Sequence, residues 1–212
     1  MATPTHDARE GVIRFSYQLL PARGEPPLDV LGAAHARGIA HGWLGRDPPR
    51  YDGLAYGNLS LRAGGVFWVT ASQRIDRPAL VAEDLVEISA VDADWAVTAH
   101  GRHPPSSETL THAAVHRAAP AGPLAVFHGH APALWHAHTA LGWATTPQHA
   151  ANGTLALADA VGDHVRASPA AGALAMLGHQ DGILLWARDF DVIFETLDAA
   201  LRRLPREGSD TP

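Results

Sequence analysis

The chain has 212 residues, 46% of them hydrophobic, enough to bury one sizeable core and too few for two comfortable domains, so residues 1–212 read as a single domain. A formal net charge of -6 disfavours nucleic-acid and membrane partners, and with neither a roughly 20-residue apolar run nor a signal-peptide pattern at the start, the expected location is cytoplasmic. The absence of cysteine excludes disulfides, thiolate nucleophiles and cysteine-held metals, and an all-arginine basic complement without lysine excludes Schiff-base and phosphate-loop lysine chemistry.

In chain order, residues 11–17 read as a short strand and 21–27 as a Pro/Gly-rich connector, so that 1–28 form an N-terminal extension. Residues 29–44 read as an amphipathic helix with Val30, Leu31, Ala34 and Ile39 near helical spacing, followed by a polar loop over 45–56. Residues 66–70 and 85–91 are short, β-branched and apolar, as buried strands are, and 96–98 add another. Ser106 is placed to cap a helix that runs to about residue 119, stopped by Pro120, and 124–128 form a strand. Helices are expected over 132–141 and 154–165, strands over 173–177 and 183–186, and a closing helix over 190–204 with Phe190, Ile193, Phe194, Leu197 and Leu201 on one face. Residues 205–212 read as a polar, flexible tail. Most strands lie within hairpin reach of a neighbour, so the pattern predicts an α/β fold in α/β/α layers around a mixed, mostly antiparallel sheet.

Histidine occurs 14 times, densely between His100 and His149. In Phe127-His128-Gly129-His130 an apolar strand ends in two imidazoles that point to the same side, with a glycine between them that lets other backbone approach. A third histidine, His179, lies in a polar turn between two apolar strands. Glu108 falls in the first turn of its helix, where outward-facing N–H groups favour an anion. Taken singly, each of these also reads as an ordinary surface or helix-stabilising residue.

Their order along the chain resembles the class II aldolase/adducin family. Gly57-Asn58-Leu59-Ser60, Phe67-Trp68-Val69-Thr70-Ala71-Ser72, Glu83-Asp84-Leu85-Val86, Pro105-Ser106-Ser107-Glu108 with His112, His128-Gly129-His130, Gly153-Thr154 and His179 follow the family's motifs in sequence. The resemblance implies a divalent-metal lyase of aldolase type in carbohydrate metabolism, a homotetramer acting on a small hydroxy-carbonyl or sugar-derived substrate through an enediolate. It makes His128, His130 and His179 the metal ligands, Glu108 the acid/base, and Asn58, Ser72, Ser106 and Ser107 the residues that anchor the substrate. His112, one helical turn after Glu108, is expected to support these groups from behind. Three imidazoles and a carboxylate suit Zn²⁺ foremost, and also Mn²⁺, Co²⁺ or Fe²⁺.

The chain departs from the family pattern in three places. Gln73 stands where phosphate-using members carry glycine, which narrows the expected anion pocket. His179 is followed by Gln-Asp-Gly where members have Asn-His-Gly. The stretch between His130 and Gly153 lacks a tyrosine that members use as a proton donor, and carries Trp135, His136, His138 and Trp143 instead. Dehydration, epimerisation and decarboxylation are alternatives for the same site, and a non-catalytic, adducin-like interaction module is the alternative to an enzyme.

Overall fold

The computed structural model describes residues 11–205, so the outermost part of the expected extension and almost all of the expected tail lie outside the described residues. In chain order the elements are β1 (Tyr17–Leu20), α1 (Leu28–Ala40), β2 (Gly45–Arg46), β3 (Ala55–Tyr56), β4 (Asn58–Ala63), β5 (Val66–Thr70), β6 (Leu85–Val91), β7 (Val97–His100), α2 (Thr109–Ala118), β8 (Leu124–His130), α3 (Pro132–His136), α4 (His138–Leu141), β9 (Ala144–Thr146), α5 (Leu155–Ala167), β10 (Gly172–Met176), β11 (Gly182–Ala187) and α6 (Phe190–Arg203). Nine strands form one sheet in the order β1-β7-β6-β5-β4-β8-β11-β10-β9, while β2 and β3 make a separate ribbon. Only the two edge strands, β1 against β7 and β9 against β10, pair in parallel; all other neighbours are antiparallel. This is the mixed, mostly antiparallel α/β architecture that the pattern predicts.

The period-2 alternation of the central strands assigns each side chain to a face. On β8, Ala125 and Phe127 enter a cluster with Leu31 of α1 and Phe194 and Leu197 of α6, while Leu124 and Val126 enter a second cluster with Val115 of α2 and Val161 of α5. The helices therefore cover both faces. On β4 the same alternation sends Leu59 and Leu61 toward α1 and α6, and Asn58 and Ser60 toward α2. The polar face of β4 is thus covered: Asn58 and Ser60 are buried, and their partners come from α2.

Three expectations need correction. The first strand lies at Tyr17–Leu20, not 11–17, and because it pairs with β7 these residues belong to the sheet and not to an extension. The helix expected to start after Ser106 begins at Thr109 with Glu108 in the cap position, although Ser106 Oγ does accept the Glu108 N–H at 3.2 Å. The helix expected over 132–141 is split into α3 and α4 at Ala137.

Candidate metal centre

The last two even-numbered positions of β8 carry His128 and His130, which therefore share the α2/α5 face of the sheet with Leu124 and Val126. Gly129 between them is required by packing, since a Cβ there would sit 2.5 Å from the Phe127 ring and 3.2 Å from the Trp43 carbonyl oxygen. β11 runs antiparallel beside β8 with Gly182 opposite His130, and the turn that precedes β11 folds back over the end of β8. That turn carries His179, held by the Gly182 N–H to His179 carbonyl bond at 3.0 Å and by Asp181 in the left-handed region at φ 62°. Donor nitrogens of His128, His130 and His179 lie within 4.8 Å of one another, and the three side chains are buried.

The chemistry of this donor set fits a divalent ion. The His128 Nδ1–H donates to the Ile183 carbonyl at 3.0 Å, which fixes the tautomer and leaves the lone pair on Nε2. Burial first, then the neighbouring His179, His128 and Arg50, hold His130 well below the usual imidazole range, so it stays neutral as a ligand must. The set that converges in this way is three imidazoles.

Glu108 is 1% exposed, and the Thr111 hydroxyl donates to its Oε2 at 2.7 Å, fixing the rotation of the carboxylate. The segment before it leans on the end of β5: Ala71 bridges to Pro105, and the Ser72 N–H donates to the Pro104 carbonyl at 2.9 Å. This brings Ser72, Ser106 and Ser107 together with Asn58 and Gln73 around one small cavity. All four expected anchoring residues thus line the same space, and Asn58 lies opposite His128 across the β4–β8 pair.

Behind the cavity runs a buried hydrogen-bond chain. His112 Nε2–H donates to Asn58 Oδ1 at 2.5 Å, which leaves His112 Nδ1 to accept from the Ser60 hydroxyl at 2.6 Å, while Ser60 Oγ accepts from His116 Nε2–H at 2.8 Å. Only this direction satisfies every step, because Asn58 Oδ1 cannot donate. Burial, then His116 and His128, push His112 well below the usual imidazole range; burial, then Arg62, pushes His116 down to about 3. The His116 ring stacks on Phe67 at 4.4 Å.

The family model for the class II aldolase and adducin N-terminal domain matches residues 48–202. The chain belongs to the class II aldolase/adducin family. Structures of other members superpose on it. L-fuculose-1-phosphate aldolase from Thermus thermophilus has a TM-score of 0.59 at 18% identity, over 82% of this chain and 91% of that one. YgbL from Klebsiella pneumoniae, a putative aldolase/epimerase/decarboxylase, has a TM-score of 0.59 at 16% identity, over 85% and 88%. A sugar-phosphate aldolase from Thermotoga maritima has a TM-score of 0.55 at 12% identity, over 81% and 91%. Comparison of the sequence with curated proteins gives no match.

Class II aldolase motifs alone do not reveal the residues that rim the histidine cluster. Tyr51 lies edge-on to His130 with ring centroids 4.4 Å apart, its hydroxyl donates to Asp181 Oδ2 at 2.7 Å, and Arg50 reaches both Tyr51 and Asp181. Burial, followed by the bond to Asp181, raises the Tyr51 phenol above its ordinary value. Tyr51, Asp52 and Gly53 have φ of 51°, 56° and 69°, a run of left-handed residues in a segment that reads as a featureless polar loop. The Asp52-Gly53 pair is the one local signal for such a turn. Of the residues that stand in place of the family's tyrosine, His136 is exposed, while His138 Nδ1–H donates to the Trp135 carbonyl at 2.7 Å and Trp135 and Trp143 pack on the α6-side core.

Proposed function

We propose that this chain is a divalent-metal-dependent lyase of aldolase type, with zinc as the resident ion, acting on a small hydroxy-carbonyl compound. The observation that carries the reading is the convergence of three buried imidazoles on one point, on the sheet face that also carries Asn58 and is covered by the helix headed by Glu108. His128, His130 and His179 would hold the ion, which when bound supplies Lewis acidity toward a substrate carbonyl. Glu108, whose carboxylate is oriented by Thr111, would move a proton to or from the carbon beside that carbonyl. Asn58, with its Oδ1 engaged by His112, presents its amide N–H groups as donors to a substrate oxygen, and Ser72, Ser106 and Ser107 fix the far end of the molecule. A homotetramer in the cytoplasm is part of the same reading and rests on the family. No helix among the described residues is long and apolar enough to cross a membrane.

The test is elemental analysis of the purified protein and of the His128→Ala/His130→Ala variant, followed by a screen of small hydroxy-ketones for carbonyl release. About one divalent ion per chain, lost in the variant, with cleavage that depends on Glu108, supports the lyase. A folded parent that takes up no metal on titration sinks it and leaves an adducin-like interaction module as the better account.

A further inference from the structure

The cavity that gathers Asn58, Ser72, Ser106 and Ser107 is lined otherwise by Ala55, Gly57, Ala71, Gln73 and Ile75, and its open space measures about 10 Å³. That is about what one water molecule needs, far short of a phosphate group with its five heavy atoms. Among the described residues, no cationic side chain is part of the lining.

The side chain that fills the space is locked in place. The Ala55 N–H donates to Gln73 Oε1 at 2.9 Å, and Gln73 Nε2 donates back to the Ala55 carbonyl at 3.1 Å, so the amide pairs with the backbone as a neighbouring strand would. On its far side Gly11 approaches so closely that a Cβ at that position would lie 2.5 Å from Gln73 Nε2. Gln73 adopts this pose from φ 58°, in the left-handed region that strains a residue bearing a side chain. Beyond the plug stands Arg46, which reaches Gln73 Oε1 at 3.5 Å and is paired with Asp76 at 2.7 Å.

We infer that Gln73 is a specificity-determining residue that closes this cavity to phosphate, so the substrate is an unphosphorylated hydroxy-carbonyl compound whose far end is a small uncharged group such as a hydroxyl. The inference rests on the metal-centre reading of the three histidines and names the substrate class for that site. Removal of the Gln73 side chain would widen the cavity, relax the backbone at φ 58° and open a path to the Arg46 guanidinium.

The experiment compares two chelating probes on the zinc-loaded full chain by calorimetry: glycolohydroxamate, which grips a metal through two adjacent oxygens, and its phosphate ester. The wild type is expected to bind the plain hydroxamate at least as tightly as the ester, and Gln73→Gly to reverse the order, gaining about tenfold for the ester. Tighter binding of the ester than of the plain compound by the wild type overturns the inference while leaving the metal centre intact. If the wild type prefers the plain compound and Gln73→Gly gains nothing for the ester, the role assigned to Gln73 is overturned. If the wild type takes up no zinc on titration, the metal-centre reading fails and this inference falls with it; if wild type and variant take up zinc yet bind neither probe, the metal is closed to substrate oxygens and the inference is overturned while the metal centre stands.

Discussion

The hydroxyl of Tyr51 meets Oδ2 of Asp181 at 2.7 Å although 130 positions separate the two residues, and the contact closes one side of the histidine cluster. Both residues hold left-handed backbone, with φ of 51° and 62°, so local strain is concentrated where the turn bearing His179 meets the loop before β3. Groups that orient metal ligands from behind typically change metal affinity or activity by about 10–100-fold when lost. Tyr51→Ala removes both the ring against His130 and the bond to Asp181, and should weaken zinc binding by about tenfold in a chelator competition. Tyr51→Phe keeps the ring and should cost less. Equal affinities in all three proteins would mean that Tyr51 does not support the cluster.

The bound ion should also stabilise the fold. A ligand present at a hundred times its Kd adds about 2.7 kcal/mol to the native state. The wild type should therefore melt at a higher temperature with zinc than with a chelator, and His179→Ala should lose that difference. Thermal unfolding with and without zinc checks this, and an unchanged zinc effect in His179→Ala removes this residue from the ligand set.

Much of the sheet is legible because local and global signals agree there. Val66–Thr70 and Leu85–Val91 read as strands to the residue, since their apolar, β-branched runs are buried on both faces over most of their length, from Phe67 to Thr70 and from Leu85 to Ile88. The strand Asn58–Ala63 reads from the sequence as a motif and not as a strand, because Asn58 and Ser60 look solvent-facing until α2 supplies His112 and His116 as partners. The displacement of the first strand has a similar cause: its position is set by pairing with Val97–His100, roughly 80 residues on. At the site, the histidines and serines are carried by ordered motifs, whereas the Tyr51–Asp181 contact and the closure of the cavity by Gln73 depend on backbone conformations and long-range packing that no local pattern encodes.

The chain from His116 through Ser60 and His112 to Asn58 predicts a stability cost when its centre is removed. Ser60→Ala leaves His112 Nδ1 without its donor and His116 Nε2–H without its acceptor, both inside a covered layer. Burying unsatisfied polar groups costs about 1–3 kcal/mol each, so the urea midpoint should fall clearly. Asn58 would also lose the fixed orientation of its amide, because His112 is then held by one bond and not two. A midpoint equal to that of the wild type would mean that the chain is not formed in solution.

The same histidines contribute to the pH dependence of folding, alongside His130. His116 is pushed down to about 3 by burial and then Arg62, against an unfolded value of 6.5, and His112 is shifted in the same direction. Below pH 6.5 the unfolded chain therefore takes up protons that the native state refuses, so stability is full above that pH and is lost as the pH falls toward the folded value. One such group contributes a slope of up to about 1.4 kcal/mol per pH unit. Urea unfolding of the metal-free protein at pH 7 and pH 5 should show the loss, and His116→Phe, which keeps an aromatic ring against Phe67, should flatten the slope even where it lowers stability at pH 7. An undiminished slope in His116→Phe would place the responsible protons elsewhere.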